Sequence, residues 1–390
     1  MGLALARELK TRFPGRSVCV LEKEKEVGLH ASGRNSGVLH AGFYYSADSL
    51  KAKFTKDGNA EMKKFCREKG IPVNECRKVV VAQSEDELES LYELEKRGIK
   101  NGVEVKLVDE KELASIDKNV RTVKWALFSP TTATVNPVDI CQAMQSELLA
   151  MGVEIRLGVE YRRKIGEGAV AAGDAVYEAG MIVNCAGLYA DKVAHDFGFA
   201  DEYVVIPFKG IYLKYHSNDK PVSINVYPVP NLKNPFLGVH FTITADNAVK
   251  IGPTAIPAFW RENYAGMGGF NAKEMWETVR HECALFAKNS FGFRDLAVAE
   301  IRKYNKRHLA KMARNMVYAI DENRFTEWTR PGIRAQLLNT RTSELVQDFM
   351  VAGDRRSVHI LNAVSPAFTC SLPFTRWVAE KFIGNFHQKH

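Results

Sequence analysis

A glycine and an acidic residue near the start of the sequence have the spacing of half a dinucleotide-binding motif. Such a motif runs from a strand through a glycine-rich turn, a helix and a second strand to an acidic residue that binds ribose hydroxyls. Gly2 and Glu22 are 20 positions apart, and a helical pattern and a short apolar run lie between them. This predicts that Gly2 is the last glycine of the turn. The alternative is an ordinary terminal glycine and a surface carboxylate at a strand end.

The stretch 28–42 could hold an anionic or planar ligand. It combines glycines with small hydroxyl and amide side chains, among them Ser32, Asn35 and Ser36. Backbone N–H groups in such a loop can approach a ligand closely, because glycine has no side chain to keep the ligand away. This supports the cofactor-binding interpretation of Gly2 and Glu22.

Alternating helices and strands must position these residues. Apolar residues at helical spacing over 3–9 predict a first helix, and the apolar run 18–21 is typical of a buried parallel strand. A second helix is predicted to begin at Ser84, which has capping-box spacing to Glu87. A third is predicted at Asn136, which precedes a proline, and a strand pattern follows each helix. This alternation indicates an α/β or mixed fold.

The residue types change in the second half of the sequence. Residues 207–254 carry aromatic and β-branched runs interrupted by proline and glycine, a pattern that predicts antiparallel sheet. A helical pattern returns over 273–316, and 357–383 reads as a strand, a turn and a helix. We therefore expect a second layer built on a sheet.

Composition excludes several classes of protein. The chain has 390 residues, of which 46% are hydrophobic and 26% charged, so disordered, fibrous and coiled-coil proteins do not fit. Its seven cysteines contain no C-x-x-C pair, which argues against a disulfide framework or a zinc site, and no metal is expected. No stretch approaches the roughly 18 apolar residues of a membrane span, so we expect a cytoplasmic protein. The net charge of +8 favours an anionic partner without identifying it.

Several separated motifs in the same order resemble one family. The run 21–45, from Leu-Glu-Lys-Glu to Ala-Gly-Phe-Tyr-Tyr, is similar to L-2-hydroxyglutarate dehydrogenases and oxidases of the D-amino-acid-oxidase-like FAD superfamily. The likeness continues along nearly the whole chain. Further matching segments are 49–53, 184–189, 227–230, 235–242 and 332–336.

The resemblance implies a discontinuous two-domain flavoprotein. A Rossmann-type FAD-binding domain is expected over 1–75, 135–200 and 330–390, with an inserted domain of mixed or antiparallel sheet over 76–134 and 201–329 that binds the substrate. The expected cofactor is FAD, with Glu22 at the adenosine ribose and 359–367 bringing a helix N-terminus to the flavin. The expected FAD-binding residues are Gly2, Glu22, Lys23, Ser32, Gly33, Asn35, Ser36, Gly37, Val38, Ala186, Gly187, Asn362, Ser365 and Pro366.

The reaction that the resemblance implies is oxidation of L-2-hydroxyglutarate, or a close 2-hydroxy acid, to 2-oxoglutarate or the corresponding 2-oxo acid, with hydride passing to flavin N5. A base must take the hydroxyl proton, and histidine has a suitable pKa without tuning. His40 and His240 lie inside family motifs, and the sequence does not decide between them. A dicarboxylate substrate needs a fixed cation, for which Arg334 is the first candidate and Lys209 the second. Quinone or oxygen would reoxidise the flavin.

A basic segment over 301–316 carries six lysines and arginines and no acidic residue. If it formed one amphipathic helix, its apolar side could rest on an anionic membrane, and the enzyme would then be peripheral on the inner membrane, mitochondrial in a eukaryote. The alternative is a basic face that packs on its own domain. A nucleic-acid partner is not expected, because no docking element accompanies the basic residues.

Two other functions stay open. An amino-acid or amine oxidase of the same superfamily would use the same flavin face on a C–N bond. The sequence also lacks the first strand and the first two glycines of the dinucleotide motif before Gly2. A chain without them would be a truncated product with impaired FAD binding, since the backbone donors for the pyrophosphate would be missing.

Overall fold

The computed structural model of the chain describes residues 1–217, 219–230 and 237–384. Positions 235 and 236 of the motif 235–242 therefore lie outside the described residues. The α-helices are α1 (Gly2–Arg12), α2 (Leu50–Glu68), α3 (Leu88–Lys100), α4 (Glu110–Ile116), α5 (Pro137–Ala150), α6 (Ala190–Asp196), α7 (Ala272–Lys288), α8 (Phe293–Arg302), α9 (Lys306–Arg314) and α10 (Ser371–Val378).

The strands are short and distributed along the whole chain. They are β1 (Cys19–Glu22), β2 (Val38–Leu39), β3 (Val73–Asn74), β4 (Lys78–Val81), β5 (Lys106–Asp109), β6 (Trp125–Ser129), β7 (Ala133–Val135), β8 (Glu154–Leu157), β9 (Tyr161–Gly166), β10 (Ala169–Ala172), β11 (Ala175–Glu178), β12 (Ile182–Asn184), β13 (Tyr203–Gly210), β14 (Leu213–Tyr215), β15 (Asn225–Pro228), β16 (His240–Ile243), β17 (Val249–Gly252), β18 (Ile256–Pro257), β19 (Phe325–Trp328), β20 (Gly332–Asn339), β21 (Glu344–Leu345), β22 (Val351–Gly353) and β23 (Ser357–Ile360).

Two pairs of short parallel strands lie in the first layer of the fold. Strand β1 pairs in parallel with β8, and β12 pairs in parallel with β23, which also pairs with β22. Helices α1 and α10 pack together over one hydrophobic core, in which Leu5 of α1 meets Phe374 of α10 and Val358 of β23. This is the helix-and-parallel-strand arrangement that the α/β pattern predicted, and the predicted fold class is confirmed.

An eight-stranded sheet forms the second layer, in the order β19-β14-β17-β16-β15-β4-β6-β5. Residues alternate between its two faces, as in any strand. One face carries a hydrophobic core that includes Val79, Phe241 and Ile251, and Leu309 of α9 packs against it. The opposite face carries the polar residues of the candidate site described below.

The predicted domain boundary at residue 330 passes through a sheet. Strands β13 and β20 pair antiparallel along their whole length, from Tyr203 opposite Asn339 to Gly210 opposite Gly332. Because the prediction assigns these two strands to different domains, its boundary there separates hydrogen-bonded neighbours. The domain assignment as a whole stays a prediction.

One local expectation is corrected by the structure. Ser84 makes no side-chain cap, and a 3-10 turn over Glu85–Glu87 precedes α3, which begins at Leu88. A capping box forms instead at Asp109, whose side chain accepts from the backbone N–H of Glu112 while the Glu112 carboxylate accepts from the Asp109 backbone. The physical reason is that a cap requires the chain to enter the helix at that residue, and spacing alone does not fix the entry point.

The basic segment 301–316 is two helices rather than one. Helix α8 ends at Arg302, and Asn305 caps α9, accepting hydrogen bonds from the backbone of the first turn. Leu309 and Met316 are buried in the core of the eight-stranded sheet, so the apolar side expected to meet a membrane packs on the protein itself. Ile301 remains exposed. Among the described residues, no helix combines the length and apolar character needed to cross a bilayer.

Candidate active site

A cavity of about 1780 Å³ runs between the two layers. It begins at the N-terminus of α1 and the end of β1, follows the loop after β1, and reaches Tyr212 and Arg334 beside the eight-stranded sheet. Strands β1 and β12 both contribute lining residues. The cavity therefore connects the half-motif found in the sequence with the residues expected to do chemistry.

The half-motif is assembled at one end of this cavity. Gly2 is the first residue of α1, whose N-terminus carries no side-chain cap, so the backbone N–H groups of its first turn are available to an anionic ligand. A Cβ at Gly2 would lie 3.6 Å from the Cβ of Cys185, an ordinary contact. The Glu22 carboxylate accepts a 3.0 Å hydrogen bond from the backbone N–H of Glu24 and lines the same cavity. The spacing of 20 residues thus brings the two together.

The loop after β1 is shaped by its own side chains. The Asn35 amide donates to the carbonyl of Ser32 at 2.6 Å, and its oxygen accepts from the N–H of Gly37 at 2.8 Å. The Ser36 hydroxyl accepts from the N–H of Val38. Ser32, Asn35, Ser36 and Val38 line the cavity, as expected of a cofactor loop.

Two glycines of this loop face protein rather than cavity. A Cβ at Gly33 would lie 2.1 Å from the carbonyl oxygen of Gly28, and one at Gly37 would lie 2.2 Å from that of Val135. Neither glycine lines the cavity. Gly37 also has a φ of +77°, where a side chain is strained. Close packing against other parts of the protein therefore explains why glycine occupies these two positions.

The remaining expected FAD-binding residues fall into two groups. Ala186, Gly187, Ser365 and Pro366 line the cavity. Asn362 does not: it is buried, its amide donates to the carbonyls of residues 346 and 348, and its oxygen accepts from the N–H of residue 337. The side-chain amide of Asn362 is therefore fully hydrogen-bonded within the protein, and the expectation that Asn362 binds FAD is corrected.

Lys23 also lines the cavity, and its ammonium is held in an ion-pair network. It lies 2.7 Å from a carboxylate oxygen of Glu262 and also pairs with Glu24. His30 lies 2.9 Å from Glu24. The network joins the end of β1 to a loop after β18.

The two candidate histidines lie on different elements and have different partners. His40 follows β2 and lines the cavity; its Nε2 has a long 3.5 Å contact with the hydroxyl of Ser365, and its buried Nδ1 has no partner among the described residues. His240 opens β16 and stacks on the ring of Tyr227, with centroids 3.6 Å apart. Its Nδ1 lies 2.8 Å from the carbonyl oxygen of Gly238.

Burial keeps both imidazoles neutral. It lowers the pKa of His40 to about 3, and the charge of Lys78 adds to the effect. It also lowers the pKa of His240 well below its ordinary value, helped by Lys78, His40 and Arg334. Since His40 and Arg334 act electrostatically on His240, the structure places these three residues in one region.

The two candidate cations lie on opposite faces of the β13–β20 pair. Arg334 is opposite Phe208 in the register, so the adjacent Lys209 projects from the other face. The guanidinium of Arg334 donates to the carbonyl of Thr254 at 3.1 Å and lines the cavity. Lys209 is directed away, and its ammonium donates to the amide oxygen of Asn263. The geometry favours Arg334 and disfavours Lys209 as a substrate contact.

Sequence reasoning missed two lysines on the site face of the eight-stranded sheet. Lys78 in β4 is fully buried, and Lys250 in β17 lies over the ring of Tyr212 at 4.5 Å and contacts the carbonyl of Ser36 at 3.4 Å. Burial lowers the pKa of Lys78 to about 7 and that of Lys250 to about 8. The sequence did contain an indication of these residues. Each is a lysine inside an otherwise apolar strand pattern, and lysine is rarely buried without a partner.

The sequence pattern of the family described as "DAO: FAD dependent oxidoreductase" matches residues 1–381 of the chain. The chain belongs to this family. The DAO family assignment confirms the predicted flavoprotein class and FAD as its cofactor, and it makes the protein an FAD-dependent oxidoreductase.

Curated relatives within the DAO family match over nearly the full length. The mitochondrial L-2-hydroxyglutarate dehydrogenase of Mus musculus is 34% identical, over 98% of this chain and 86% of its own. The L-2-hydroxyglutarate dehydrogenase of Indibacter alkaliphilus is 33% identical, over 99% of this chain and 97% of its own. That of Escherichia coli strain K12 is 30% identical, over 98% and 90%.

Solved structures share the DAO fold at lower identity. L-α-glycerophosphate oxidase from Mycoplasma pneumoniae with FAD bound has a TM-score of 0.73 at 21% identity, covering 96% of this chain and 90% of its own. Glycine oxidase from Geobacillus kaustophilus has a TM-score of 0.71 at 17% identity, covering 100% and 93%. At these identities the likeness establishes the fold.

The cavity fits the cofactor that the DAO family uses. It is long enough to run from the uncapped start of α1, suited to a pyrophosphate, to His40 and Arg334. The carboxylate of Glu22 lies at the same end as the start of α1, and a Cβ at Gly187 would meet nothing within 4 Å, which leaves open space beside the turn after β12. The donors and the room match an extended dinucleotide.

Proposed function

We propose that the chain is an FAD-dependent L-2-hydroxyglutarate dehydrogenase that oxidises L-2-hydroxyglutarate to 2-oxoglutarate. The substrate is suggested by the full-length similarity to dehydrogenases of that name. The chemistry is carried by one observation, the orientation of His240 against the carbonyl of Gly238. A neutral histidine held in this way has one nitrogen left to act as a base.

His240 is the proposed general base. A carbonyl oxygen only accepts hydrogen bonds, so Nδ1 must carry the proton and Nε2 must present a lone pair. Nε2 makes no hydrogen bond to any residue in the described ranges. It would take the proton of the substrate hydroxyl, and FAD, when bound, would supply the hydride acceptor. The imidazole then holds the proton, and Gly238 keeps the ring in place.

Arg334 is the proposed binding group for the carboxylate next to the reacting carbon. Its guanidinium stays charged even when buried and offers donors in a fork that matches a carboxylate. The contact with the Thr254 carbonyl uses one of these donors and orients the group. Binding the carboxylate here would orient C2 relative to His240.

The cofactor would be held by the residues that line the other end of the cavity. The first turn of α1 at Gly2 would receive the pyrophosphate, and Glu22 would accept hydrogen bonds from the adenosine ribose. The loop 32–38 and the turn at Ser365 and Pro366 would enclose the flavin. His40, beside Ser365, would lie next to the flavin and is the alternative base.

The decisive experiment is anaerobic reduction of the FAD-loaded protein, followed by flavin absorbance. L-2-hydroxyglutarate is expected to bleach the flavin, and D-2-hydroxyglutarate is not. L-glutamate and glycine test the amino-acid oxidase alternative, and bleaching by either of these but not by the hydroxy acid would refute the proposal. The same preparation measures the affinity for FAD, and a failure to retain FAD would favour the interpretation of a chain with impaired cofactor binding.

The electron acceptor is proposed to be quinone or oxygen. Steady-state turnover with a soluble quinone under anaerobic conditions, compared with oxygen consumption in air, separates the two. Contact with a membrane through 301–316 is tested by sedimentation with anionic vesicles. Because the apolar side of α9 is buried, binding there would depend on exposed Ile301 and the basic side chains.

A further inference from the structure

Lys78 is a buried cation without a hydrogen-bond partner. It is the first residue of β4, near the middle of the eight-stranded sheet, and its exposure is 0%. Its ammonium group has no acceptor among the described residues. An ammonium has three donors and no acceptor, so all three are unused here. Burying such a group is unfavourable unless something else pairs with it.

Aromatic rings surround the Lys78 ammonium. It lies 3.9 Å from the ring centre of Tyr227, 5.3 Å from that of Tyr44 and 5.8 Å from that of Phe43. Cation–π attraction offsets part of the cost of burial, but rings provide no negative charge. The hydroxyl of Tyr44 is also buried and unpartnered among the described residues. Two kinds of donor are therefore present in the same place without an acceptor.

The position of Lys78 relative to His240 follows from the register. Tyr227 lies in β15, between β4 and β16, and Val80 is its partner in β4. Lys78 is two residues before Val80, so its side chain projects from the same face of the sheet as Tyr227. The ring of Tyr227 stacks on His240 at 3.6 Å and lies 3.9 Å from Lys78, so the base and the ammonium flank one side chain.

We propose that Lys78 binds the second carboxylate of the substrate, the one remote from the reacting carbon, with the Tyr44 hydroxyl as a further donor. The proposal rests on the proposed function, because His240 and Arg334 define where the reacting end lies. Arg334 would bind the first carboxylate and Lys78 the second. Lys78 would then decide that the site takes five-carbon dicarboxylates rather than monocarboxylic hydroxy acids.

A carboxylate explains the arrangement better than a buried water molecule. A water would accept one hydrogen bond from the ammonium but would leave the charge uncompensated in a site of low polarity. A carboxylate supplies the negative charge and accepts several donors at once. The nearest titratable groups facing Lys78 are His40, His240, Tyr44, Tyr227 and Cys76, and none of them is a carboxylate.

The test is ligand binding to the FAD-loaded protein, which requires no turnover. Glutarate and butyrate differ in one carboxylate, and each can be titrated while the flavin spectrum is followed. The wild type is expected to bind glutarate roughly 10- to 100-fold more tightly than butyrate, the range for a hydrogen bond to a charged group. Lys78→Met should abolish this preference and leave butyrate binding unchanged.

A matched control is another inward-facing lysine. Lys63 of α2 has satisfied donors, with a 2.8 Å hydrogen bond to the carbonyl of Thr131 and an ion pair to Glu75. Lys63→Met should keep the preference for glutarate. A second readout is thermal unfolding without ligand: Lys78→Met should raise the midpoint, because an unpaired buried charge is removed, whereas Lys63→Met should not.

The outcomes separate the two proposals. Equal binding of glutarate and butyrate by the wild type, or a preference that survives in Lys78→Met, would overturn the role of Lys78. A lower unfolding midpoint for Lys78→Met would point to a structural lysine and would also count against it. If glutarate binding depends on Lys78 but L-2-hydroxyglutarate does not reduce the flavin, the proposed reaction fails and the dicarboxylate site stands.

Discussion

The Nδ1 atom of His240 lies 2.8 Å from the carbonyl oxygen of Gly238, two residues earlier in the chain. Because the carbonyl can only accept, this contact fixes the tautomer of the imidazole and leaves Nε2 with a lone pair. The stacking of the ring on Tyr227 fixes its plane as well. A short local contact therefore decides which of the two nitrogens can act as the base.

Replacing His240 should slow the chemical step without loss of cofactor. For His240→Gln we expect the rate of flavin reduction by L-2-hydroxyglutarate to fall by roughly 10²- to 10⁴-fold, the usual contribution of a general base. Stopped-flow absorbance measures this rate, and the bound FAD is quantified in the same sample. His216→Gln is the control, since His216 is exposed and its side chain pairs with Glu327. An unchanged rate in His240→Gln would transfer the role of base to His40.

Arg334 should not be replaceable by lysine. Arg334→Lys keeps the charge but loses the fork that matches a carboxylate, so we expect KM for L-2-hydroxyglutarate to rise by roughly 10- to 100-fold. Lys209→Met is the comparison, because Lys209 lies on the other face of the strand pair. Steady-state kinetics on both variants measure KM for L-2-hydroxyglutarate and show which cation binds the substrate. A larger effect for Lys209→Met than for Arg334→Lys would reverse the assignment.

The buried pair of Asp191 and Arg261 should stabilise the fold in a pH-dependent way. Two hydrogen bonds of 2.6 and 2.8 Å join the groups, and both side chains are almost fully buried. Burial raises the pKa of Asp191, but the bonds from Arg261 outweigh it and hold the pKa below its ordinary value. The stability that this pair contributes is therefore fully present above the pKa of Asp191 in the unfolded chain, about 3.9. It is lost as the pH falls through the lower pKa of Asp191 in the folded protein.

Arg261→Met leaves the Asp191 carboxylate buried without its cation. We expect the free energy of unfolding in urea at pH 7 to fall by about 3–5 kcal/mol. The exposed pair of Arg376 and Glu61 is the control, and Arg376→Met should cost less than about 1 kcal/mol. The difference between Arg261→Met and wild type should shrink below pH 4. A constant difference across this range would contradict the role assigned to Asp191.

Two glycines with similar backbone conformation should respond differently to alanine. Gly37 has φ +77° and Gly187 has φ +57°, so both substitutions carry the strain of about 1 kcal/mol that a side chain meets there. At Gly37 the new Cβ would also lie 2.2 Å from the carbonyl oxygen of Val135, whereas at Gly187 it meets nothing within 4 Å. Urea unfolding should therefore show a much larger loss for Gly37→Ala. Equal losses would mean that the loop can shift away from β7.

The sequence alone was sufficient to predict many of the helices and strands and the residue types that could take part in chemistry. The helix and strand between Gly2 and Glu22, the cap at Asn136 and the family motifs all depend on residues close together in the chain. Such patterns are set by backbone periodicity and capping, which act over a few residues. Three of the predicted site residues, His40, His240 and Arg334, lie in one region of the structure, and their roles are proposals.

The tertiary structure alone decided which side chains face the cavity and which are buried against protein. Asn362 and Gly37 belong to motifs of the right kind, but their polar groups or space are taken up by contacts with residues far away in the chain. Lys78 was overlooked for the same reason: its neighbours His240 and Tyr227 come from strands more than 140 residues away in the chain. A lysine inside an apolar strand pattern indicates burial, but its neighbours and the absence of a hydrogen-bond partner follow from non-local strand pairing, which no local pattern reveals.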